Sequence, residues 1–161
     1  MIRTATHADC DAIARIYNHY VATTIVTFEL EPIPAAEMAA RLDAVRKLDL
    51  PWLVAAPEGG VLGYAYATPW KARPAYRHAV ETTVYLDPGA TGQGWGTRLY
   101  EALFGALRTW GAHAVIGGIA LPNPASVALH EKHAMAKVAH FAQVGYKFER
   151  WVDVGYWQRI L

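Results

Sequence analysis

Three glycines at alternate positions, Gly92, Gly94 and Gly96, stand between a strand-forming run and a helical pattern, and no other arrangement in the sequence is better suited to chemistry. Glu81-Thr-Thr-Val-Tyr-Leu86 is β-branched and aromatic and favours an extended chain. Asp87-Pro88-Gly89 ends it, and Leu99, Leu103, Leu107 and Trp110 recur at helical spacing beyond the loop. Without Cβ atoms, backbone N–H groups can approach an anion, and the helix N-terminus adds its own positive field. Phosphate binding is one reading and a plain tight turn is the other; the glycines alone permit both. The loop lacks Gly-Lys-Ser/Thr, as an ATP-type phosphate loop requires, and it lacks Gly-x-Gly-x-x-Gly. The next strand, Ala114 to Ile119, also ends without the acidic residue that would hold a ribose. A phosphate held here would belong to something other than ATP or NAD.

The elements around this stretch follow from pattern. Met1 to Ala5 reads as a short strand, and Thr6 as a helix cap with Asp9 three positions on. Ile13, Ile16, Tyr17 and Tyr20 then form the stripe of a helix over about Ala8 to Val21. Pro32 and Pro34 precede a second helix carrying Met38, Leu42 and Val45. Trp52 to Ala56 and Val61 to Ala67 read as strands joined at Pro57-Glu-Gly-Gly60. Thr68 to His78 is an irregular basic and aromatic connection, long enough to suggest function. After the central stretch come a helix stop at Gly111, the strand Ala114 to Ile119, a turn at Leu121 to Pro124 and a short helix from Ser126. The tail has a turn at Gly145 and a terminal strand from about Trp151 to Ile160. The order predicts an α/β fold, a mixed sheet with helices against it.

Composition bounds the rest. With 161 residues, 53% of them hydrophobic, the chain can bury one substantial core, and a single domain over residues 1–161 is expected. Its 15 basic and 14 acidic residues are interspersed, and the net charge of +1 predicts no nucleic-acid or membrane partner. The N-terminal residues carry no apolar signal core, so a cytoplasmic location is expected. Cys10 stands alone, which excludes an internal disulfide and a cysteine-based metal cluster. Six tryptophans and nine tyrosines predict that some aromatics line a pocket.

Strand, Gly92-x-Gly94-x-Gly96, helix, strand, Asn123-x-x-Ser126 and helix together resemble the GNAT superfamily of N-acetyltransferases. Tyr17-Asn-His-Tyr20, Pro51-Trp-Leu-Val54, Pro69-Trp-Lys-Ala-Arg73, Leu129-His-Glu131, Gly145-Tyr-Lys147 and Trp151-x-Asp153-Val-Gly-x-Trp-Gln158 are similar to the phosphinothricin acetyltransferases and, more distantly, to the methionine sulfoximine and sulfone acetyltransferases. The likeness covers nearly the whole chain. It implies a mostly antiparallel GNAT-like sheet, acetyl-CoA as co-substrate without a metal, a homodimer, and transfer to the α-amine of a small amino-acid analogue.

Residue by residue, the resemblance puts the coenzyme A pyrophosphate on the loop Gly92, Gln93, Gly94, Trp95, Gly96 and Thr97, the pantetheine arm along Val84, Tyr85 and Leu86, and a further cofactor contact on Asn123. Substrate contacts fall on Lys71, Ala72 and Arg73 and on Glu81, Thr82 and Thr83, with Phe28 and Tyr76 joining Tyr20 and Trp70 around a closed acceptor pocket. Glu81 is expected as the base that takes the ammonium proton, the Leu86 N–H as donor to the oxyanion, and His130 as the acid for the departing thiolate. Lys71 and Arg73 offer cations to a substrate carboxylate or phosphinate. His130, His133 and His140 lack the supporting ligands of a zinc site, and no metal is expected.

Two positions depart from the family pattern. Thr91 stands where an Arg or Gln usually adds a side-chain donor to the pyrophosphate. His133-Ala-Met135 replaces Leu-Gly-Phe, putting a Cβ where a helix end often needs left-handed backbone. Other readings are acetylation of another small amine or a protein N-terminus, which needs a more open pocket, and a non-enzymatic acyl-CoA-binding domain.

Overall fold

The computed structural model describes residues 1–58 and 60–161. Its first strand, β1 (Ile2–Thr4), is tied to the helix behind it through one carboxylate. Asp9 accepts the Thr6 N–H at 2.7 Å and the Thr6 hydroxyl at 3.0 Å, while the Arg3 guanidinium donates to both its oxygens at 2.7 Å. The hydrogen bonds from Arg3 above all, then those from Thr6, outweigh the cost of burial and hold the Asp9 pKa at about 2. A folded pKa below the unfolded one stabilises the fold at neutral pH and ceases to do so as the carboxylate protonates. Asp9→Asn is therefore expected to cost about 1–2 kcal/mol at pH 7. Denaturant titration should show that difference shrinking as the pH falls from the ordinary value of 3.8 toward 2.

A short 3-10 turn, His7–Asp9, leads into α1 (Cys10–Thr23), and α2 (Ala35–Arg46) follows with Met38, Leu42 and Val45 buried as their spacing predicts. The chain continues through β2 (Trp52–Ala55), β3 (Gly63–Pro69), β4 (Ala79–Leu86), α3 (Trp95–Trp110), β5 (Ala114–Leu121), α4 (Pro124–Lys132), β6 (Ala136–Lys147) and β7 (Arg150–Ile160). The strands form one sheet in the order β1-β2-β3-β4-β5-β7-β6, antiparallel at every neighbour pair except β4–β5. The buried stripe Leu99, Leu103 and Leu107 lays α3 on the sheet, and Gly111 at φ 98° closes the helix. The turn expected at Pro57–Gly60 includes Gly59, which lies outside the described residues.

Two boundaries differ from expectation. Residues 136–147 are a strand at the sheet edge, and Gly145 lies within it, opposite Val152, rather than in a turn. The chain reverses instead at Phe148 and Glu149, both at positive φ. Irregularities between Lys137 and Ala139 and between Phe141 and Gly145 break the period-two pattern by which a strand is recognised. Gly145 is glycine for a packing reason: the Phe28 ring occupies the place of its missing Cβ. At the end of α4, Ala134 adopts φ 58°, so the left-handed position is present although glycine is not.

The feature that shapes the site is a split in the sheet. β4 and β5 pair only at Ala79↔Ala114, Val80↔Val115 and Glu81↔Ile116, then part, although β4 runs on to Leu86 and β5 to Leu121.

Candidate active site

Antiparallel pairing makes the backbone groups of alternate residues face one neighbour and then the other. The Asp87 N–H donates to the Leu62 carbonyl at 2.8 Å and the Trp70 N–H to the Ala79 carbonyl at 3.1 Å, and the β3–β4 register between them is unbroken. The odd-numbered residues of β4 are thus the ones bonded to β3. Val84 and Leu86 turn their N–H and C=O groups toward β5, where the strands have separated. The Leu86 carbonyl accepts the Tyr20 hydroxyl at 2.6 Å, leaving its N–H toward the gap. The backbone of Tyr85 faces β3, so what Tyr85 brings to the gap is its ring, packed 5.3 Å from both Tyr17 and Tyr20.

A cavity of about 730 Å³ occupies the split. One end is the glycine loop, with Thr91, Gly92, Gly94, Gly96 and Thr97 in its wall. Gly92 and Gly94 have φ of 74° and 80°, and Gly94 caps α3. The Arg98 N–H bonds to the Gly94 carbonyl at 3.2 Å, so the N–H groups of Trp95, Gly96 and Thr97 precede the first helical bond and point out of the helix end. Gly96 serves packing, because a Cβ there would lie 3.2 Å from Leu129 of α4. Gln93 and Trp95, both expected at the cofactor, are not in the wall: the Gln93 amide donates to Gly89 at 2.9 Å, and Arg98 covers the Trp95 ring at 4.5 Å. The Thr91 hydroxyl donates to Pro88 at 3.0 Å, which turns it back into its own loop. Asn123 caps α4 by accepting the Ser126 N–H at 3.2 Å, so its NH2 group remains for the cavity it lines.

At the other end the cavity meets the two expected proton-transfer residues, and they lie on opposite faces of the sheet. Successive strand residues point to opposite faces. A Cβ on Gly117 would strike the His130 ring, whereas one on Gly118 would lie 3.2 Å from Glu81 Oε1 and 3.0 Å from the Tyr156 ring. The split in the sheet joins the two sides. Glu81 is half-buried and, among the described residues, takes no hydrogen bond or ion pair; burial raises its carboxyl pKa, with the Lys71 charge opposing. Arg77 and His78 turn away, to Pro74 and Gly111.

A profile described as the acetyltransferase (GNAT) family matches residues 13–135. The chain belongs to that family. It is 43% identical to a phosphinothricin N-acetyltransferase of Streptomyces viridochromogenes, over 98% of this chain and 86% of that one. It is 36% identical to an L-methionine sulfoximine/L-methionine sulfone acetyltransferase of Salmonella typhimurium, over 98% and 92%. The solved structure of a GNAT superfamily phosphinothricin acetyltransferase from Sinorhizobium meliloti in complex with AcCoA has a TM-score of 0.97 and 36% identity, over 100% of this chain and 88% of that one.

His130 in this acetyltransferase differs in detail from the expected acid. Its Nδ1 lies 2.7 Å from the Ser126 carbonyl, which can only accept, so the proton of the neutral ring sits on Nδ1. Nε2 must then accept, and Tyr100 donates its hydroxyl to it across 3.0 Å. Burial pushes the His130 pKa down and that of Tyr100 up, so the imidazole stays neutral and the phenol keeps its proton. The transferable hydrogen in the pair belongs to Tyr100, which also lines the cavity. Tyr100→Phe is expected to lower kcat about tenfold or more and to cost about 1–3 kcal/mol of stability by leaving Nε2 without a donor. Steady-state kinetics with thermal denaturation would check both.

The loop expected to hold the substrate, and Phe28, do not contribute to the cavity wall. Lys71, Ala72, Arg73 and Tyr76 are exposed, and none of them lines it; nor does Phe28, which packs on Gly145 while Val26 and Tyr20 of the same region form the wall. Lys71 reaches back, its Nζ 4.8 Å over the Trp70 ring and its charge felt at Glu81. Thr82 and Thr83 line the cavity beside Glu81. Sequence reasoning missed Tyr100, Gly118 and Tyr156. Only the Ser126–His130 spacing of four on a helix hinted at the contacts His130 makes.

Proposed function

We propose that this acetyltransferase moves acetyl from acetyl-CoA to the α-amine of a small amino-acid analogue such as phosphinothricin, methionine sulfoximine or methionine sulfone, by direct transfer with both substrates bound. The observation that carries this reading is the split between β4 and β5, which connects an anion-ready helix N-terminus on one side to an unpaired carboxylate, Glu81, on the other. The residues suit coenzyme A: the N–H groups at the start of α3 for its pyrophosphate, and the free backbone groups of Val84 for an amide of its arm, the Leu86 carbonyl being held by Tyr20. Bound there, acetyl-CoA supplies an activated thioester.

Glu81 takes the ammonium proton, directly or through one water, and its raised pKa brings it closer to neutral pH, where a base is most effective. The Leu86 N–H donates to the carbonyl oxygen as negative charge gathers there. Tyr100, braced by His130, provides the proton for the leaving thiolate. Lys71 and Arg73 bind the anionic end of the acceptor, with Thr83, on the same face of β4 as Glu81, beside the amine. Cys10 is buried in α1, and its burial raises the thiol pKa, so it is unsuited to carry the acetyl group.

The reading includes a single domain over residues 1–161, a cytoplasmic location and a homodimer. Val138, Val144, Tyr146, Phe148 and Trp151, all more than half exposed on the β6–β7 hairpin, support a second copy as the cover for that face. The test of function is thiol release from acetyl-CoA against phosphinothricin, methionine sulfoximine, methionine sulfone, simple amines and peptides. Turnover is expected with the amino-acid analogues; turnover confined to peptides or simple amines would overturn the proposal.

A further inference from the structure

Tyr156 stands directly opposite Gly118 in the β5–β7 register, and the ring carbons Cε1 and Cζ lie 3.0 and 3.5 Å from where a Gly118 Cβ would be. Glu81 Oε1 lies 3.2 Å from the same point. A carboxylate and a phenol ring therefore converge over one bare Cα, and Gly118 is itself exposed in the cavity floor. Two further aromatics hold the Tyr156 ring: Trp70 at 5.5 Å and Phe141 at 5.8 Å, both edge-on. The place has the makings of a cation site, with one unpaired negative charge, one braced aromatic ring and a floor without a side chain.

We propose that the acceptor's ammonium docks on Gly118 between the Glu81 carboxylate and the Tyr156 ring, which makes Tyr156 a substrate-binding residue of the acetyltransferase. This rests on the transfer reaction proposed above and gives it an address for the amine. The carboxylate is the charge partner and the proton acceptor. The ring favours the cationic form of the incoming amine until Glu81 removes its proton. The Tyr156 phenol keeps its own proton, because burial, then the Glu81 charge, raises its pKa, and it does not compete as a base. Trp70, edge-on to Tyr156, also carries the Lys71 ammonium 4.8 Å over its ring, which brings a cation for an anionic group of the acceptor to the same side-chain cluster.

The test is calorimetric titration of phosphinothricin into the full chain saturated with coenzyme A, a complex in which no transfer occurs. Tyr156→Leu is expected to weaken phosphinothricin binding about tenfold, Tyr156→Phe to retain wild-type affinity, and both to bind coenzyme A as the wild type does, which also confirms that they are folded. Wild-type affinity in Tyr156→Leu, equal loss in the Phe and Leu variants, or no phosphinothricin binding to the wild type would each overturn the docking. Binding that follows this pattern without any acetyl transfer would leave the docking in place and refute the proposed reaction instead.

Discussion

Glu81→Gln is expected to lower kcat about 10²–10³-fold at neutral pH while acetyl-CoA affinity stays at its wild-type value. Gln keeps the shape and the half-buried position but cannot accept the ammonium proton, and without that step the acceptor has no lone pair to attack with. The contacts proposed for the coenzyme are on α3 and on the backbone of β4 and do not include this side chain, so its binding has no reason to change. The pH profile separates a base from a packing residue. A base acts deprotonated, so wild-type kcat/KM rises with pH through the raised Glu81 pKa and levels above it, and the Gln variant lacks that limb. Because the Lys71 charge opposes the rise, Lys71→Met should move the limb to higher pH. Unchanged turnover in Glu81→Gln would remove the residue from the mechanism.

Gly94→Val is expected to have the opposite selectivity, weakening acetyl-CoA binding about 10–100-fold with the acceptor's KM little altered. Gly94 caps α3 at φ 80°, a backbone region that costs a β-branched residue at least 1–2 kcal/mol or so. No atom stands within 4 Å of a Cβ built there, so the penalty is conformational rather than steric. The loop can relieve it only by rotating the N–H groups that lead into the helix, and these are the donors proposed for the pyrophosphate. Calorimetric titration with coenzyme A reads the loss directly. Gly96 would report something else, since its bare Cα makes room for Leu129.

The loop and its flanking elements were legible because local chemistry determines them: a β-branched run, a proline-glycine stop, alternate glycines and a leucine stripe at helical spacing. The same holds for the Thr6–Asp9 start of α1 and for α2 behind its prolines. Strand β6 was not legible, because two irregularities interrupt its alternation and because Gly145, which looks like a turn, is there to seat Phe28. The identities of Glu81, Leu86, Asn123 and His130 as site residues could be carried over from the family resemblance, and all four line one cavity. Their arrangement could not be foreseen. That Glu81 and His130 lie on opposite faces depends on the phase of β5, where Gly117 makes room for one and Gly118 for the other. Tyr100 and Tyr156 were invisible for a related reason, since each gains its meaning from a residue at least 30 positions away that only the fold brings near. Lys71 and Arg73, expected in the pocket, are exposed and line no part of it, and only Lys71 is within electrostatic reach of Glu81.

In the proposed reaction acetyl passes straight through the split in the sheet, from a donor on one side to an amine on the other, with both present at once. Initial velocities measured while acetyl-CoA is varied at several fixed concentrations of phosphinothricin test it most directly. Double-reciprocal lines that intersect are expected, as a ternary complex requires; parallel lines, the mark of an acetylated enzyme formed before the acceptor binds, would rule direct transfer out.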